Sequence, residues 1–260
     1  MQEAKSELQN NTNTKYEIKE FVNWEELPTD IMILRGIYSY GFEKPSPIQS
    51  KAILPILDGK DVLAQAQSGT GKTGCFTIGC LGRLDLTKQE TQAMILAPTR
   101  ELSIQIKTVL DAIGSQMKSL KSQLLIGGTS TELDTIQLKN KPHVVIGCPG
   151  RIHDMLRRKK LHPNQLKCII LDEADEMLSQ GFKEQVYNIF QYLPKEIQVL
   201  LFSATMPDIL HSLIEKFMRN PIKILVKSEQ LTLEGIQQYY VGLENDDEKY
   251  ELLYGSFKLF

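Results

Sequence analysis

The sequence Ala66-Gln67-Ser68-Gly69-Thr70-Gly71-Lys72-Thr73 is a glycine-rich stretch between a short apolar run and a segment with helical character. The run before it is Asp61-Val62-Leu63-Ala64, and the segment after it begins Gly74-Cys75-Phe76-Thr77-Ile78. A strand, a glycine-rich loop and a helix in this order give the context in which such a stretch binds phosphate. A turn without a ligand is the alternative, and Gly-Lys-Thr in this context disfavours it.

The residue types of this loop suit a phosphate group and its metal ion. The backbone N–H groups of the four residues before Lys72 would face inward as a nest for phosphate oxygens, at the positive end of the following helix. Lys72 would add a charge for the β- and γ-phosphates, and the Thr73 hydroxyl would bind Mg²⁺. Ala66 stands where the general pattern has its first glycine.

The composition limits the classes of protein. The 260 residues include 30 basic and 32 acidic ones, a net charge of −2, so any nucleic-acid surface has to be local. The four cysteines have no CxxC spacing, which disfavours a zinc site or disulfide framework and favours free thiols in a reducing compartment. No apolar run approaches the roughly 18 residues of a membrane span and no signal peptide opens the chain, so we expect an intracellular protein without a membrane partner.

The region before the glycine-rich loop divides into a polar tail and a helical segment. Residues 1–20 have little to bury and are predicted to be a disordered N-terminal tail. Order should begin near Phe21, and apolar residues from Ile31 to Tyr38 recur at helical spacing. Residues 41–49 then contain two prolines, and Gln49 carries an amide that can donate and accept at the edge of a purine. Alone, this segment predicts only a proline-bounded loop that leads into a helix.

From Asp61 onward, short apolar runs alternate with helical patterns. Continuous apolar runs suit strands that are covered on both faces, as in a parallel sheet. Seven such runs predict a doubly wound α/β domain over residues 21–228, with a mainly parallel sheet of about seven strands. The predicted strands are residues 62–64, 94–96, 124–126, 144–146, 169–171, 199–202 and 222–226.

Polar groups follow five further strands at the points where those strands end. Ligands of such a sheet collect at the carboxyl ends of its strands, so these groups and the glycine-rich loop should share one edge. Each group has an ordinary alternative: the acids could complement a helix dipole, and the others could be caps or turns. Their joint occurrence favours a site. The groups are residues 98–102, 127–129, 147–151, 172–175 and 203–205.

The pattern changes past Ser228. Residues 235–241 are predicted to form a strand, and aromatic and leucine residues between Tyr250 and Phe257 form a helical stripe. An amphipathic helix with nothing after it to cover it is unusual. We therefore expect residues 229–260 to be a linker and the truncated start of a second domain.

The motifs and their order resemble those of the DEAD-box RNA helicases, and within that family the eukaryotic initiation factor 4A subfamily, over residues 24–240. Residues 41–49 match the Q motif, with Trp24 rather than phenylalanine at its upstream aromatic position, and residues 66–73 match motif I, in which the family also has alanine first. Ser103 stands where motif Ia usually has alanine, and Cys148 where motif Ib has threonine. The other matches are residues 98–102 (motif Ia), 127–128 (GG motif), 148–151 (motif Ib), 172–175 (motif II) and 203–205 (motif III).

The resemblance implies a RecA-like fold that binds ATP and Mg²⁺. Gln49 would bind the adenine edge and select ATP over GTP, with Phe42 and Lys44 flanking the base. The residues implied to hold the phosphates are Ser68, Gly69, Thr70, Gly71, Lys72 and Thr73.

The resemblance also assigns roles to the acids and to motif III. Asp172 would hold Mg²⁺ through water, while Glu173 would position and activate the attacking water. Asp175 with Ser203 and Thr205 would link the nucleotide site to the RNA site.

The same resemblance implies an RNA partner that is bound through its backbone, with little sequence specificity. The Cys148 side chain would lack a hydroxyl contact and a helix cap, at a cost of about 1 kcal/mol. The implied RNA contacts are Pro98, Thr99, Arg100, Gly128, Gly150 and Arg151.

The family's second RecA-like domain supplies an arginine that stabilises the transferring phosphate, and such an arginine accounts for about 10³–10⁵ in rate. We therefore expect these 260 residues alone to bind ATP weakly and to hydrolyse it slowly or not at all. Translation-initiation or other RNA-processing proteins are the expected partners, in the cytoplasm or alternatively the nucleus. A catalytically incomplete single-domain protein that binds RNA or a partner is the rival hypothesis; the Q motif and Asp-Glu-Ala-Asp disfavour a DNA helicase.

Overall fold

The computed structural model describes residues 16–225, 240–243 and 245–257. The chain divides into two compact units, Met1–Lys227 and Ser228–Phe260. The first unit holds a seven-stranded sheet in the order β3-β4-β2-β5-β6-β1-β7, in which every strand pair is parallel. The strands are β1 Val62–Gln65, β2 Ala93–Leu96, β3 Ser122–Leu125, β4 Val144–Gly147, β5 Cys168–Leu171, β6 Gln198–Ser203 and β7 Ile222–Leu225.

Helices precede and connect these strands. In the first unit they are α1 Ile31–Ser39, α2 Pro47–Leu57, α3 Lys72–Gly82, α4 Arg100–Ile113, α5 Thr131–Leu138, α6 Pro149–Arg157, α7 Ala174–Met177, α8 Lys183–Tyr192 and α9 Asp208–Phe217. Two short 3₁₀ turns, Trp24–Glu26 and Gly114–Gln116, and one π-type segment, Leu178–Phe182, complete the described elements of this unit.

The sheet is covered on both faces because successive residues of a strand point to opposite sides. In β5, Ile170 packs into one apolar cluster with residues of α1, α2, α3 and α4. Its neighbours Ile169 and Leu171 pack into a second cluster with residues of α6, α8 and α9. This arrangement confirms the predicted doubly wound α/β fold.

Six of the seven strands lie within one residue of their predicted bounds, but β3 begins two residues earlier than predicted. Ser122 and Gln123 interrupt the apolar pattern, so the pattern alone predicts a strand that begins at Leu124. Gln123 is nevertheless 5% exposed, and its amide donates to the Asp134 carbonyl at 3.0 Å. A buried polar side chain with a tertiary partner is compatible with a strand, and a hydropathy pattern does not reveal it.

The folded chain also extends further towards the N-terminus than the tail predicted over residues 1–20. The Tyr16 hydroxyl donates to the Asp58 carboxylate at 2.6 Å, and Lys51 pairs with Glu20 at 3.5 Å. These contacts attach residues 16–20 to α2 and to the turn that follows it. Residues 1–15 lie outside the described part of the chain.

The described part of the second unit contains one helix, α10 Asp246–Phe257. This helix agrees with the helical stripe predicted from Tyr250 onward. Most of the predicted strand over residues 235–241 lies outside the described residues.

Candidate functional site

The loop of residues 66–73 joins β1 to α3 at the carboxyl edge of the sheet. Gly69 and Gly71 have φ angles of +81° and +95°, in the left-handed region that favours glycine. Gly71 is the N-cap residue of α3, and residues 67–69 are exposed. The first N–H groups of α3 therefore lie at an open loop, where an anion can bind them.

Lys72, the first residue of α3, is 6% exposed, and among the described residues its Nζ atom has no hydrogen-bond partner. A buried ammonium group without hydrogen bonds is costly. Burial raises the carboxyl pKa values of Asp172 and Glu173, and the charge of Lys72 opposes this rise. An anionic ligand at the loop would supply the missing partners, so the residues present fit a phosphate group.

Gln49 connects the segment 41–49 to this loop. Its Oε1 atom accepts from the Ser46 N–H at 2.8 Å, and its Nε2 atom donates to the Gly71 carbonyl at 3.1 Å. The predicted adenine-binding side chain is thus 2% exposed and is hydrogen-bonded to the loop itself. Gly74 was not predicted to take part, yet a Cβ atom there would lie 2.7 Å from the Phe42 ring and 2.9 Å from Gln49 Nε2. A glycine inside a helix, where alanine is more stable, was the available signal.

Phe42 is supported by two other aromatic rings. Trp24 is fully buried and stacks on Phe42 with ring centroids 6.3 Å apart, while Tyr40 meets it edge-on at 4.8 Å. Trp24, at the upstream aromatic position, therefore contacts the predicted base-flanking ring and has no exposed surface for a ligand. Lys44, the other predicted flanking residue, is exposed.

The acids Asp172 and Glu173 directly follow β5, which in the sheet is separated from β1 and its loop by β6. Asp172 is 2% exposed, and burial raises the pKa of its carboxyl to about 6, against the opposing effects of Lys72 and of a hydrogen bond from the Glu173 N–H at 3.1 Å. Burial, a hydrogen bond with Glu176 and the Asp172 charge together raise the pKa of Glu173 to about 7. A carboxyl with this pKa can both hold and release a proton near neutral pH.

Glu173 has the backbone angles φ +49° and ψ +50° as the N-cap residue of α7. A non-glycine residue in the left-handed region is uncommon and costs free energy, and such residues cluster at functional sites. This backbone conformation distinguishes Glu173 from the other residues of the 172–175 motif. The sequence pattern does not predict it.

Asp175, Ser203 and Thr205 lie together as predicted from their motifs. The Asp175 carboxylate accepts from the Thr205 N–H at 2.9 Å and from its hydroxyl at 2.7 Å. Burial acts to raise the pKa of Asp175, but the hydrogen bonds from Thr205 outweigh it and lower this pKa. Ser203 Oγ also donates to the Thr205 carbonyl at 2.7 Å, so the three residues form one network between α7 and the end of β6.

A groove of about 720 Å³ lies at the ends of β2, β3 and β4. Five of the six predicted RNA contacts line it, and a Cβ atom at the sixth, Gly128, would lie 2.7 Å from Nη1 of the lining residue Arg100. Sequence reasoning did not identify Phe182, which comes from the π-type segment. The lining residues are Pro98, Thr99, Arg100, Glu101, Gly127, Thr131, Cys148, Gly150, Arg151, Asp154 and Phe182.

Two of the three departures from the family pattern, Ser103 and Cys148, contact each other beside this groove. Cys148 is the N-cap residue of α6, and its side chain makes no capping hydrogen bond, as expected without the hydroxyl. Its Sγ atom lies 3.7 Å from Oγ of Ser103, which also donates to the Thr99 carbonyl at 2.8 Å. Serine at 103 thus provides a polar neighbour for the thiol.

Neither a preformed metal cluster nor a membrane span is found in the part of the chain that the structure describes. There, no three or more His, Cys, Asp or Glu residues are grouped to hold a metal ion. No described helix is long and apolar enough to cross a membrane.

The family model of DEAD/DEAH box helicases matches residues 46–213. A Chaetomium globosum protein named ATP-dependent RNA helicase eIF4A is 54% identical over 221 residues, covering 85% of this chain and 55% of that protein. A Pyricularia oryzae protein of the same name is 51% identical over 231 residues, covering 89% of this chain and 58% of that protein. The chain spans about half the length of the curated relatives it matches.

Solved structures show the same likeness. A DEAD box protein from the hyperthermophile Methanococcus jannaschii is 37% identical with a TM-score of 0.77, covering 90% of this chain and 62% of that chain. A Saccharomyces cerevisiae Dbp5 variant bound to RNA and ADP BeF3 is 34% identical with a TM-score of 0.80, covering 91% of this chain and 61% of that chain. These likenesses agree with the RecA-like fold predicted from the sequence.

Proposed function

The chain belongs to the DEAD/DEAH box helicase family, and from this we propose that it is the ATP-binding domain of an ATP-dependent RNA helicase that serves translation initiation in the cytoplasm. One observation carries the ATP-binding part of the proposal. The Lys72 ammonium group is buried, lacks a hydrogen-bond partner among the described residues, and lies at an open glycine-rich loop beside the buried carboxyl of Asp172 and the half-buried carboxyl of Glu173.

Different residues of the loop, of motif II and of the Q motif would bind the phosphates, Mg²⁺ and the adenine base. The N–H groups of residues 68–71 and the Lys72 charge would hold the phosphates, and Gln49 would read the adenine edge. Thr73 and Asp172 would hold Mg²⁺, which when bound stabilises charge on phosphate oxygens. Gln49 already donates to the Gly71 carbonyl, so a purine that engages this amide would also act on the loop.

Glu173 would accept the proton of the attacking water. A general base works best when its pKa lies near the operating pH, and the carboxyl pKa of about 7 meets this condition. Asp172, in contrast, would remain ionised beside a bound cation, because a positive charge favours the carboxylate form.

RNA would bind in the 720 Å³ groove through its sugar-phosphate backbone. The network of Asp175, Ser203 and Thr205 would pass changes at the nucleotide to this groove through α7, since Asp175 lies in α7 and the π-type segment that follows α7 carries Phe182 of the groove lining. A second RecA-like domain would supply the arginine that stabilises the transferring phosphate, worth about 10³–10⁵ in rate. Initiation proteins would be further partners.

Two assays test this function. Calorimetry with Mg²⁺ and ATP should detect binding by the parent chain and none by Lys72→Ala, while Gln49→Ala should lose the preference for ATP over GTP. When a second RecA-like domain from a relative is added with RNA, the parent should hydrolyse ATP. Glu173→Gln should still bind ATP but show no turnover. Absent ATP binding by the parent, or unchanged turnover by Glu173→Gln, would refute the proposal.

A further inference from the structure

The geometry points to different roles for the two arginines of the groove. We propose that Arg151 is a positioning residue, which together with Asp134 holds the loop of residues 127–129 in place, while Arg100 supplies the charge that meets an RNA phosphate. This inference rests on the proposed function in that it takes the groove to bind RNA. It corrects the expectation that the guanidinium of Arg151 is itself an RNA contact.

The guanidinium group of Arg151 is committed to contacts within the protein. Its side chain is 10% exposed and forms an ion pair with Asp134 of α5, whose side chain is 7% exposed. Nη1 also donates to the Thr129 hydroxyl at 3.1 Å, and Nη2 donates to the Thr129 carbonyl at 2.9 Å. A buried guanidinium with an anionic partner and two further acceptors would lose these bonds if it turned to bind a phosphate.

These contacts act on the backbone of the loop. The Thr129 hydroxyl donates to the Ile126 carbonyl at 2.9 Å, which closes the turn at the end of β3. Arg151 therefore ties the loop to the start of α6 through Thr129 and to α5 through Asp134. Without these contacts the loop would become ordered only when RNA binds, and the free-energy cost of that ordering would weaken the binding.

Arg100 has the opposite character. It is exposed at the start of α4, and no ion pair or hydrogen bond of its side chain is found among the described residues. Its guanidinium lies against Gly127 and Gly128, since a Cβ atom at these positions would come within 3.2 Å and 2.7 Å of it. The loop that Arg151 holds is thus the surface against which the Arg100 guanidinium packs. Arg100 is exposed, so its charge is available to bind an RNA phosphate.

The effect of Asp134→Ala on RNA affinity has opposite signs if Asp134 acts only through its charge and if it positions Arg151. If only the charge mattered, Asp134→Ala would remove a negative charge beside the lining residue Arg151 and tighten RNA binding. If Asp134 positions Arg151, the same change should weaken binding about tenfold, because a charged hydrogen-bond network is lost. Glu132→Ala is the matched control, because it removes one negative charge from the exposed side of the same helix. Fluorescence anisotropy of a labelled single-stranded oligouridylate with the full chain measures both.

Salt dependence separates the two arginines. Arg100→Ala should reduce the slope of log Kd against log salt by about 0.7, the value for one phosphate contact on a single strand. Arg151→Ala should weaken binding but leave this slope unchanged. An equal loss of slope in Arg151→Ala would make Arg151 a phosphate ligand and overturn the inference.

Asp134→Ala leaves a buried arginine unpaired and could prevent folding, so a double variant is needed. Asp134→Leu with Arg151→Leu removes both charges and keeps the site filled. We expect this variant to fold, and amide hydrogen exchange of residues 127–130 to become at least tenfold faster than in Glu132→Ala. Unchanged exchange would overturn the inference even without RNA. If instead the parent does not bind oligouridylate while exchange rises as expected, the proposed RNA function fails and the positioning role stands.

Discussion

Asp172→Asn should stabilise the domain in the absence of nucleotide, although it removes a residue proposed to hold Mg²⁺. The carboxyl is 2% exposed, and burial raises its pKa from 3.8 to about 6. Ionising it at neutral pH therefore costs free energy that the amide of asparagine does not. The asparagine oxygen can still accept the hydrogen bond from the Glu173 N–H.

The magnitude follows from the two pKa values. One pKa unit corresponds to about 1.4 kcal/mol, so the change from 3.8 to about 6 amounts to about 3 kcal/mol. Because the pKa is raised in the folded state, the stability that Asp172 contributes is fully present below pH 3.8 and is lost as the pH rises through 6. The gain of Asp172→Asn over the parent should thus be near zero at pH 4 and approach 3 kcal/mol at pH 8, a value that already includes the attraction between Asp172 and Lys72.

Urea unfolding of the nucleotide-free chain at several pH values between 4 and 8 measures this difference. Asp61→Asn is the matched control, because Asp61 is also a buried aspartate, at 5% exposed. Its two oxygens accept from the Val199 N–H at 2.9 Å and the Arg219 N–H at 2.7 Å, so an amide there loses one acceptor and destabilises. An Asp172→Asn variant that is less stable than the parent at pH 8, or whose gain does not grow with pH, would refute the reasoning.

Three further changes test single contacts. Cys148→Thr should restore the missing cap of α6 and raise the free energy of unfolding in urea by about 1 kcal/mol. Thr205→Val should remove the 2.7 Å hydrogen bond to Asp175, lower the stability by about 1 kcal/mol and raise the pKa of Asp175 in an NMR titration. Gly74→Ala should displace Phe42 and Gln49, with a loss of about 1–3 kcal/mol in stability and a weaker preference for ATP over GTP in calorimetry.

Each of these changes has a discriminating outcome. Cys148→Ala serves as the control for the cap, and equal stability of the alanine and threonine variants would show that the hydroxyl does not cap α6. A fixed pKa of Asp175 in Thr205→Val would mean that this hydrogen bond does not lower it. If Gly74→Ala keeps the preference for ATP over GTP, the close packing of α3 against Phe42 and Gln49 is not needed for base recognition.

Local patterns in the sequence predicted the sheet well because most of its strands are continuous apolar runs. The exception is instructive: Gln123 belongs to β3 through a bond to the Asp134 carbonyl, a partner that lies 11 residues away. The contact of Tyr16 with Asp58, 42 residues away, is of the same kind, since it joins a residue of the predicted tail to the end of α2. Partners of this kind have no periodicity that a sequence pattern could display.

For the candidate site, the sequence by itself determined which residues are the candidates. The glycine-rich loop, the acids of residues 172–175 and the groups at the strand ends were identified from residue type and order, because parallel strands bring their carboxyl ends to one edge. Only the tertiary structure decided how those residues are used. It buried Asp172 and raised its pKa, bonded Gln49 to Gly71, and paired Arg151 with Asp134. Burial and pairing depend on which distant segments pack together, and that is a property of the folded chain.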